Sequence, residues 1–424
     1  MRLGLTRIFL CMLALDVSIR DALADDAALQ FRGTDGTGIV KSATLPTNWD
    51  RDTNIAWRTE LPGEGWSSPV VSDGRIYLTA AIATQAEETA SSDQAYDLAL
   101  LILDADNGEL LARKDLIHQT AAELKKIHSK NSHASPSPLV AGNRVFVHFG
   151  HQGTACTDLL GNTVWVNRDL SFNPVHGNGG SPILVGDHLI FTCDGANSPY
   201  VAALQADTGK LAWKCQRPVD ATKKFSFCTP SEIVVDGKTQ VVAPGSDCVL
   251  GIDPVDGSII WQVDYDGYSV VPKPVYADGR LFVCTGYDRG GILAIDPTGK
   301  GNITQSHVLW RIDNGAPKTP SVLAKNDLLF MINDGGVALC LDAATGETIW
   351  KERIGGKYSA SPVMSGDKIY FTSEEGKTTI VQAGREFKQI ATNDLQERTL
   401  ASMAAVGDAI FLRTAKALYR IESQ

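Results

Sequence analysis

The chain has 424 residues, 43% of them hydrophobic and 21% charged, and a formal net charge of −10. That acidity argues against nucleic acid or an anionic membrane as the main partner. After the first two dozen residues no stretch reaches the ~20 apolar residues that a membrane-spanning helix needs.

The first expected element is an address. Arg2 and Arg7, the apolar run Ile8 to Leu15 and the small-residue site Ala22-Leu23-Ala24 follow the order of a secretory signal peptide. Residues 1–24 are therefore expected to direct export to the periplasm or beyond, and residues 25–53 to form an extended N-terminal segment. A strand over Asn54–Leu61, carrying Trp57, precedes the first repeat.

Self-similarity begins at Ser68-Pro69-Val70-Val71 and runs through Asp73-Gly74 to Ile76-Tyr77. This half-motif returns at Pro138, Pro182, Pro274, Pro320 and Pro362, more loosely at Pro230, and an eighth time with Met403 in the proline position. A second half, A-x-D-x-x-T-G-x-x-x-W, ends at Trp213, Trp261 and Trp350, with a shortened copy at Trp165 and a lengthened one at Trp310. The tryptophans step by 48, 48, 49 and 40 residues, the period of propeller blades. Alternating, β-branched runs separated by Asp-Gly, Gly-Asn and Thr-Gly pairs give four antiparallel strands per repeat, here lettered A to D. The expected fold is all-β: one eight-bladed propeller over residues 54–424. The last repeat ends at Ile421 without a Trp-bearing strand, so Asn54–Leu61 is expected to complete it and remove the free sheet edge.

Two insertions break the pattern. Residues 84–95 read as a polar loop, and residues 115–130 have helical spacing. The seven cysteines past the signal (Cys156, Cys193, Cys215, Cys228, Cys248, Cys284 and Cys340) are scattered in apolar runs and read as small buried hydrophobes.

Strand order separates two faces. The A–B and C–D turns are generic (SDGR, AGNR, VDG, ATG) and serve geometry. The opposite face gathers the D–A loops, with His128, Asn131, His133, His176 and Asn178. It also gathers the B–C loops, with His148, His151, Asp194, Tyr287, Asp288, Arg289, Glu374 and Glu375. Six of the eight histidines lie in or beside these loops, so a ligand is expected on this face near the channel mouth. His133, His148 and His151 are the right types for a transition metal, but they equally satisfy loop hydrogen bonds, and no metal is expected. Tyr287-Asp288-Arg289 fits a carboxylate clamp or an inter-blade salt bridge. Glu374-Glu375 fits a calcium or proton-transfer pair, or a solvated hairpin tip.

The tryptophan-ended signature resembles the docking motif of PQQ-repeat propellers, over about residues 54–421. That family includes quinoprotein alcohol dehydrogenases and a non-enzymatic outer-membrane assembly propeller. The stretch from Phe31 to Val71 further resembles secreted PQQ-binding-like repeat proteins of planctomycete type. The docking residues implied are Trp57, Trp165, Trp213, Trp261, Trp310 and Trp350. The enzymes of the family hold PQQ on the axis with calcium, a catalytic Asp and often a disulfide between adjacent cysteines. This chain has no Cys-Cys dipeptide and no CxxCH segment. The expectation is an exported, monomeric binding or scaffold module with no cofactor, whose partner is a protein, peptide or glycan. The alternative is PQQ-dependent oxidation of an alcohol or sugar.

Overall fold

The computed structural model describes residues 27–40, 44–84 and 95–423. The segment expected to be an export signal and nearly all of the 84–95 insertion lie outside the described residues. Eight sheets follow one another around a ring, each built of four antiparallel strands in A-B-C-D order, with a short parallel fifth strand added to the fourth and seventh. Strands B and C are buried on both faces because each sheet stacks on its neighbours, as in Arg280–Cys284 and Ile292–Ile295. Strand D is half-buried and alternates, as in Leu211–Gln216. The apolar clusters accordingly lie between blades: Phe282 and Ile292 of the fifth pack with Leu329 and Leu341 of the sixth.

The ring closes as a mixed blade. Ile55–Glu60 pairs antiparallel with Ala417–Ile421, from Ile55↔Ile421 to Glu60↔Ala417. Glu397 fastens the joint, accepting from Tyr419 Oη at 2.8 Å and from Arg58 Nη2 at 3.0 Å.

Tryptophans tie most seams. Trp213 Nε1 donates to Pro254 O of the next blade at 3.0 Å, and its ring lies against Gly257, where a Cβ would come within 2.6 Å. Trp57, Trp165, Trp310 and Trp350 donate likewise to Ala105, Ala206, Ala343 and Gly384. Trp261 differs. It is fully buried, donates to Gln240 Oε1 of its own blade at 2.7 Å, and leans on Gly251. The lengthened C–D connection of the fifth blade covers it, with Gly301–Asn302 pairing parallel to Trp261 and Gln262.

The 115–130 stretch is not a helix. Leu110–Gln119 is a ten-residue strand paired along Ala95–Asp104, and only Ala121–Glu123 forms a short 3-10 turn. Leu116, Ile117 and Ala121 have helical spacing, but a long hairpin partner offers a complete ladder, and tertiary pairing overrides the local pattern.

The N-terminal segment threads the centre. Ala28 bridges Val71, Leu29 O accepts from Val140 N, and Ile39–Val40 runs parallel to Met364–Ser365. These contacts join the inner strands of blades one, two and seven near the A–B turns, so the segment crosses the channel at that end. Leu45 and Trp49 then pack with Tyr370 and Leu412 at the seam of blades seven and eight.

Candidate functional site

The residue two places before each inner strand faces the axis. Ser68 N donates to Ser137 Oγ, Ser137 N to Ser181 Oγ, and Ser181 N to Thr229 Oγ1, at 2.8–2.9 Å. On the other side Lys273 N donates to Ser321 Oγ, Ser321 N to Ser361 Oγ, and Ser361 N to Ser402 Oγ, at 2.8–3.0 Å. Small hydroxyl residues allow eight strands to converge while answering one another's amides. In the sixth blade this place belongs to Ser321, so the Thr319-Pro320 pair lies two residues before the position the repeat assigned to it.

Above this ring opens an axial funnel of about 1060 Å³ on the D–A and B–C loop face, with Phe31 at its floor. Five basic side chains line it (Lys130, Lys223, Arg289, Lys318 and Arg353) and one acid, Asp334. Aromatic rings run between them. Lys223 Nζ sits 3.8 Å from the Tyr268 ring centre, Lys318 Nζ 4.8 Å from that of Tyr287, and Phe225 meets Tyr268 edge-on at 5.7 Å. Such contacts hold a cation without neutralising it. Asp334 is occupied, accepting from Lys318 N at 2.8 Å and Thr319 Oγ1 at 2.6 Å. Lys130 is paired with Glu374 at 2.7 Å, whereas Arg289 has no carboxylate or hydrogen-bond partner among the described residues.

Of the residues singled out from sequence, His128, Asn131, His176, Tyr287 and Arg289 meet in the funnel wall. His128 and His176 stand edge-on at 5.7 Å, and Asn131 Nδ2 donates to His176 O at 3.0 Å. The others are elsewhere. His148 is buried under Phe191, ring centres 4.2 Å apart, with Nδ1 bonded to Thr154 Oγ1, and burial drives its pKa down to about 3. His151 bonds Gln152 and Asn178, and burial holds it at about 4. His133 stacks on Tyr96 at 5.0 Å. Among the described residues no three His, Cys, Asp or Glu side chains converge as a metal site requires.

Asp194 is a correction. It lies not on the open loop face but inside, where Arg217 grips it through Nε at 2.6 Å and Nη2 at 2.8 Å. Both side chains are 1% exposed. Arg217 also donates to Ala243 O and Pro244 O of the next blade. Burial alone would lower the Arg217 pKa; the attraction and hydrogen bonds of Asp194 outweigh it and raise it. Glu374 and Glu375 are not a pair either: the first takes Lys130 and Ser359, the second faces the Lys357 amide. Asp288 accepts from Tyr268 Oη, and among the described residues neither it nor Arg289 forms an inter-blade salt bridge. Sequence reasoning missed Trp66, Lys318 and Arg353; the available signal was basic residues recurring in the loops of an acidic chain.

The family model described as outer membrane protein assembly factor BamB matches residues 92–224, 197–304 and 301–420. Similar solved structures include BamB from Moraxella catarrhalis, with 14% identity and a TM-score of 0.57, covering 87% of this chain and 99% of that one. A europium-containing methanol dehydrogenase aligns with a TM-score of 0.68 at 11% identity, covering 95% and 92%. Quinohemoprotein alcohol dehydrogenase ADHIIG from Pseudomonas putida HK5 aligns at 0.64 and 11%, covering 96% and 81%. No curated protein sequence matches. At these identities the structural likeness concerns the fold.

Proposed function

This chain belongs to the PQQ-like β-propeller family described as outer membrane protein assembly factor BamB, and we propose that it is an exported binding module whose ligand, an acidic protein or peptide segment, seats in the axial funnel. The observation that carries the reading is charge inversion. A molecule of net charge −10 lines its one large funnel, among the described residues, with five basic side chains and a single, already occupied carboxylate. A concave wall of one sign focuses the field and draws the opposite charge. Phe225, Tyr268 and Tyr287 add flat apolar surface beside those cations, which suits an extended segment with acidic and apolar residues. Export is supported by the order of residues in Met1–Ala24 and by the family's outer-membrane description.

The dehydrogenase reading fits the donor set less well. Calcium takes six to eight oxygen ligands, about as a rule with several carboxylates. Asp334 is the one acid lining the funnel, and both its oxygens are engaged. The metal of a quinoprotein therefore lacks a seat on these residues.

The test is fluorescence anisotropy with labelled peptides of matched length, one Glu/Phe-rich and one Lys/Phe-rich. The acidic peptide should bind, with affinity falling as salt rises. Arg289→Ala should weaken it about tenfold, one lost charge-assisted contact, while Arg75→Ala on the opposite face should leave it unchanged. Equal binding of both peptides rejects the charge reading, and loss confined to Arg75→Ala rejects the funnel. Stoichiometric uptake of PQQ with calcium would instead restore the enzyme.

A further inference from the structure

A second observation lies below the funnel, on the axis itself. In seven blades the residue at the ring position is Ser or Thr; in the fifth it is Lys273. A single cation inserted into an otherwise repeated hydroxyl ring is not required by convergence of the strands, since the other blades converge without one.

Lys273 is only 4% exposed, and its Nζ has no hydrogen-bond acceptor or ion-pair partner among the described residues. Beside it, on the threaded N-terminal segment, stands Arg32, also 4% exposed. Arg32 Nη2 donates to Thr37 O and Val322 O, but Nε and Nη1 are buried with no partner. The two cations act on each other: burial first, then the Arg32 charge, lowers the Lys273 pKa. Asp35 and, more weakly, Glu232 attract Lys273, but both carboxylates are exposed, and Asp35 Oδ1 already accepts from Thr37 N and Oγ1. Buried charges are ordinarily paired, and orphaned buried N–H groups call for an ion or water. Two buried cations with spare donors in one place call for an anion.

We propose that Arg32 and Lys273 together hold a small inorganic anion on the propeller axis, and that this anion pins the N-terminal segment across the channel. The size limit comes from the glycines. A Cβ at Gly36 would come within 2.2 Å of Lys273 Nζ, and one at Gly38 within 2.6 Å of Arg32 Nη2. The loop hugs both heads, so an occupant must be small, on the scale of a chloride or a phosphate and not of a bulky organic acid. One cation comes from the ring and the other from the threaded segment, so the anion joins the two. Neither Arg32 nor Lys273 lines the funnel.

The experiment compares melting midpoints of the wild-type chain in chloride, phosphate and gluconate at matched ionic strength. A saturable rise in chloride or in phosphate, absent in gluconate, is expected, and the responding ion identifies the occupant. Lys273→Met should lose that response, and Lys273→Ser, which restores the hydroxyl ring, should lose it as well. Identical wild-type midpoints in all three salts, or an unchanged response in both variants, overturn the proposal. Crystals of the wild type soaked in bromide decide independently of variant folding. An anomalous peak between Arg32 and Lys273, or phosphate density there in crystals soaked in phosphate, supports the site, and absence of both overturns it whatever the melts show.

Discussion

At the scale of single residues, burial gives two of the loop histidines a structural job that pH reads out. His148 and His151 are held neutral by burial, at about 3 and about 4, against an ordinary value near 6.5. A base with a depressed folded pKa takes up its proton only on unfolding as pH falls. The stability it contributes is complete above about pH 6.5 and is lost progressively toward its folded value. Unfolding free energies from urea titrations should therefore decline from about pH 7 to about pH 5, and His148→Gln should reduce the slope by close to one proton. An unchanged slope would mean that His148 is hydrated. Asp194 gives the converse case. Asp194→Ala leaves the Arg217 guanidinium buried against two carbonyls with no counter-charge, and should cost about 3–5 kcal/mol by denaturant titration. A loss below about 1 kcal/mol would show that water replaces the carboxylate. Neither role was legible from sequence. The HFGH and DGAN stretches mark the right loops, but a loop's position says nothing of whether its side chain turns toward solvent or into the seam.

At the scale of elements, the docking unit is a pair: a tryptophan on strand D and the glycine of the next blade's Thr-Gly or Asp-Gly turn. Gly257 has φ +76°, and a Cβ there would meet the Trp213 ring at 2.6 Å. Trp213→Ala should cost about 3–5 kcal/mol by opening a cavity between blades three and four. Gly257→Ala should destabilise on its own through strain and collision, and less so in the Trp213→Ala background, where the ring is gone. Additive losses in a double-mutant cycle would break the pairing. The repeat made this element readable, because the same tryptophan-to-glycine spacing recurs from Trp165 to Gly209 and from Trp213 to Gly257. It also misled at Trp261. There the extra residues between Gly299 and His307 supply the cover, Ile303 joins the cluster around the indole, and Gln240 takes the N–H. An insertion can be counted in a sequence, but where it folds back is decided by the surface it finds.

At the scale of the whole molecule, the N-terminal segment makes three separable contributions to one ring. Residues 27–40 cross the channel, Leu45 and Trp49 fill the seam of blades seven and eight, and Ile55–Glu60 completes the last sheet. The seam needs filling because strand D of blade seven carries Ala391 where six of the eight blades carry an indole. Trp49 stacks on Tyr370 at 6.4 Å, its amide bonded to Asn393 Oδ1. The closing strand was legible from the missing eighth tryptophan strand; the threading was not, since an irregular segment has no period to read. Two truncations separate these roles. Removing residues 25–52 keeps the closing strand, so the ring should stay monomeric with a lower melting midpoint, its seam hollow and its channel open. Removing residues 25–61 takes the strand as well and exposes Ala417–Ile421 as an unpaired apolar edge, which should drive association. Size-exclusion chromatography with light scattering reads the difference. If the shorter truncation already aggregates, the seam carries closure and the strand is secondary. If the longer one stays monomeric and melts like the shorter, the ring does not depend on that fourth strand at all.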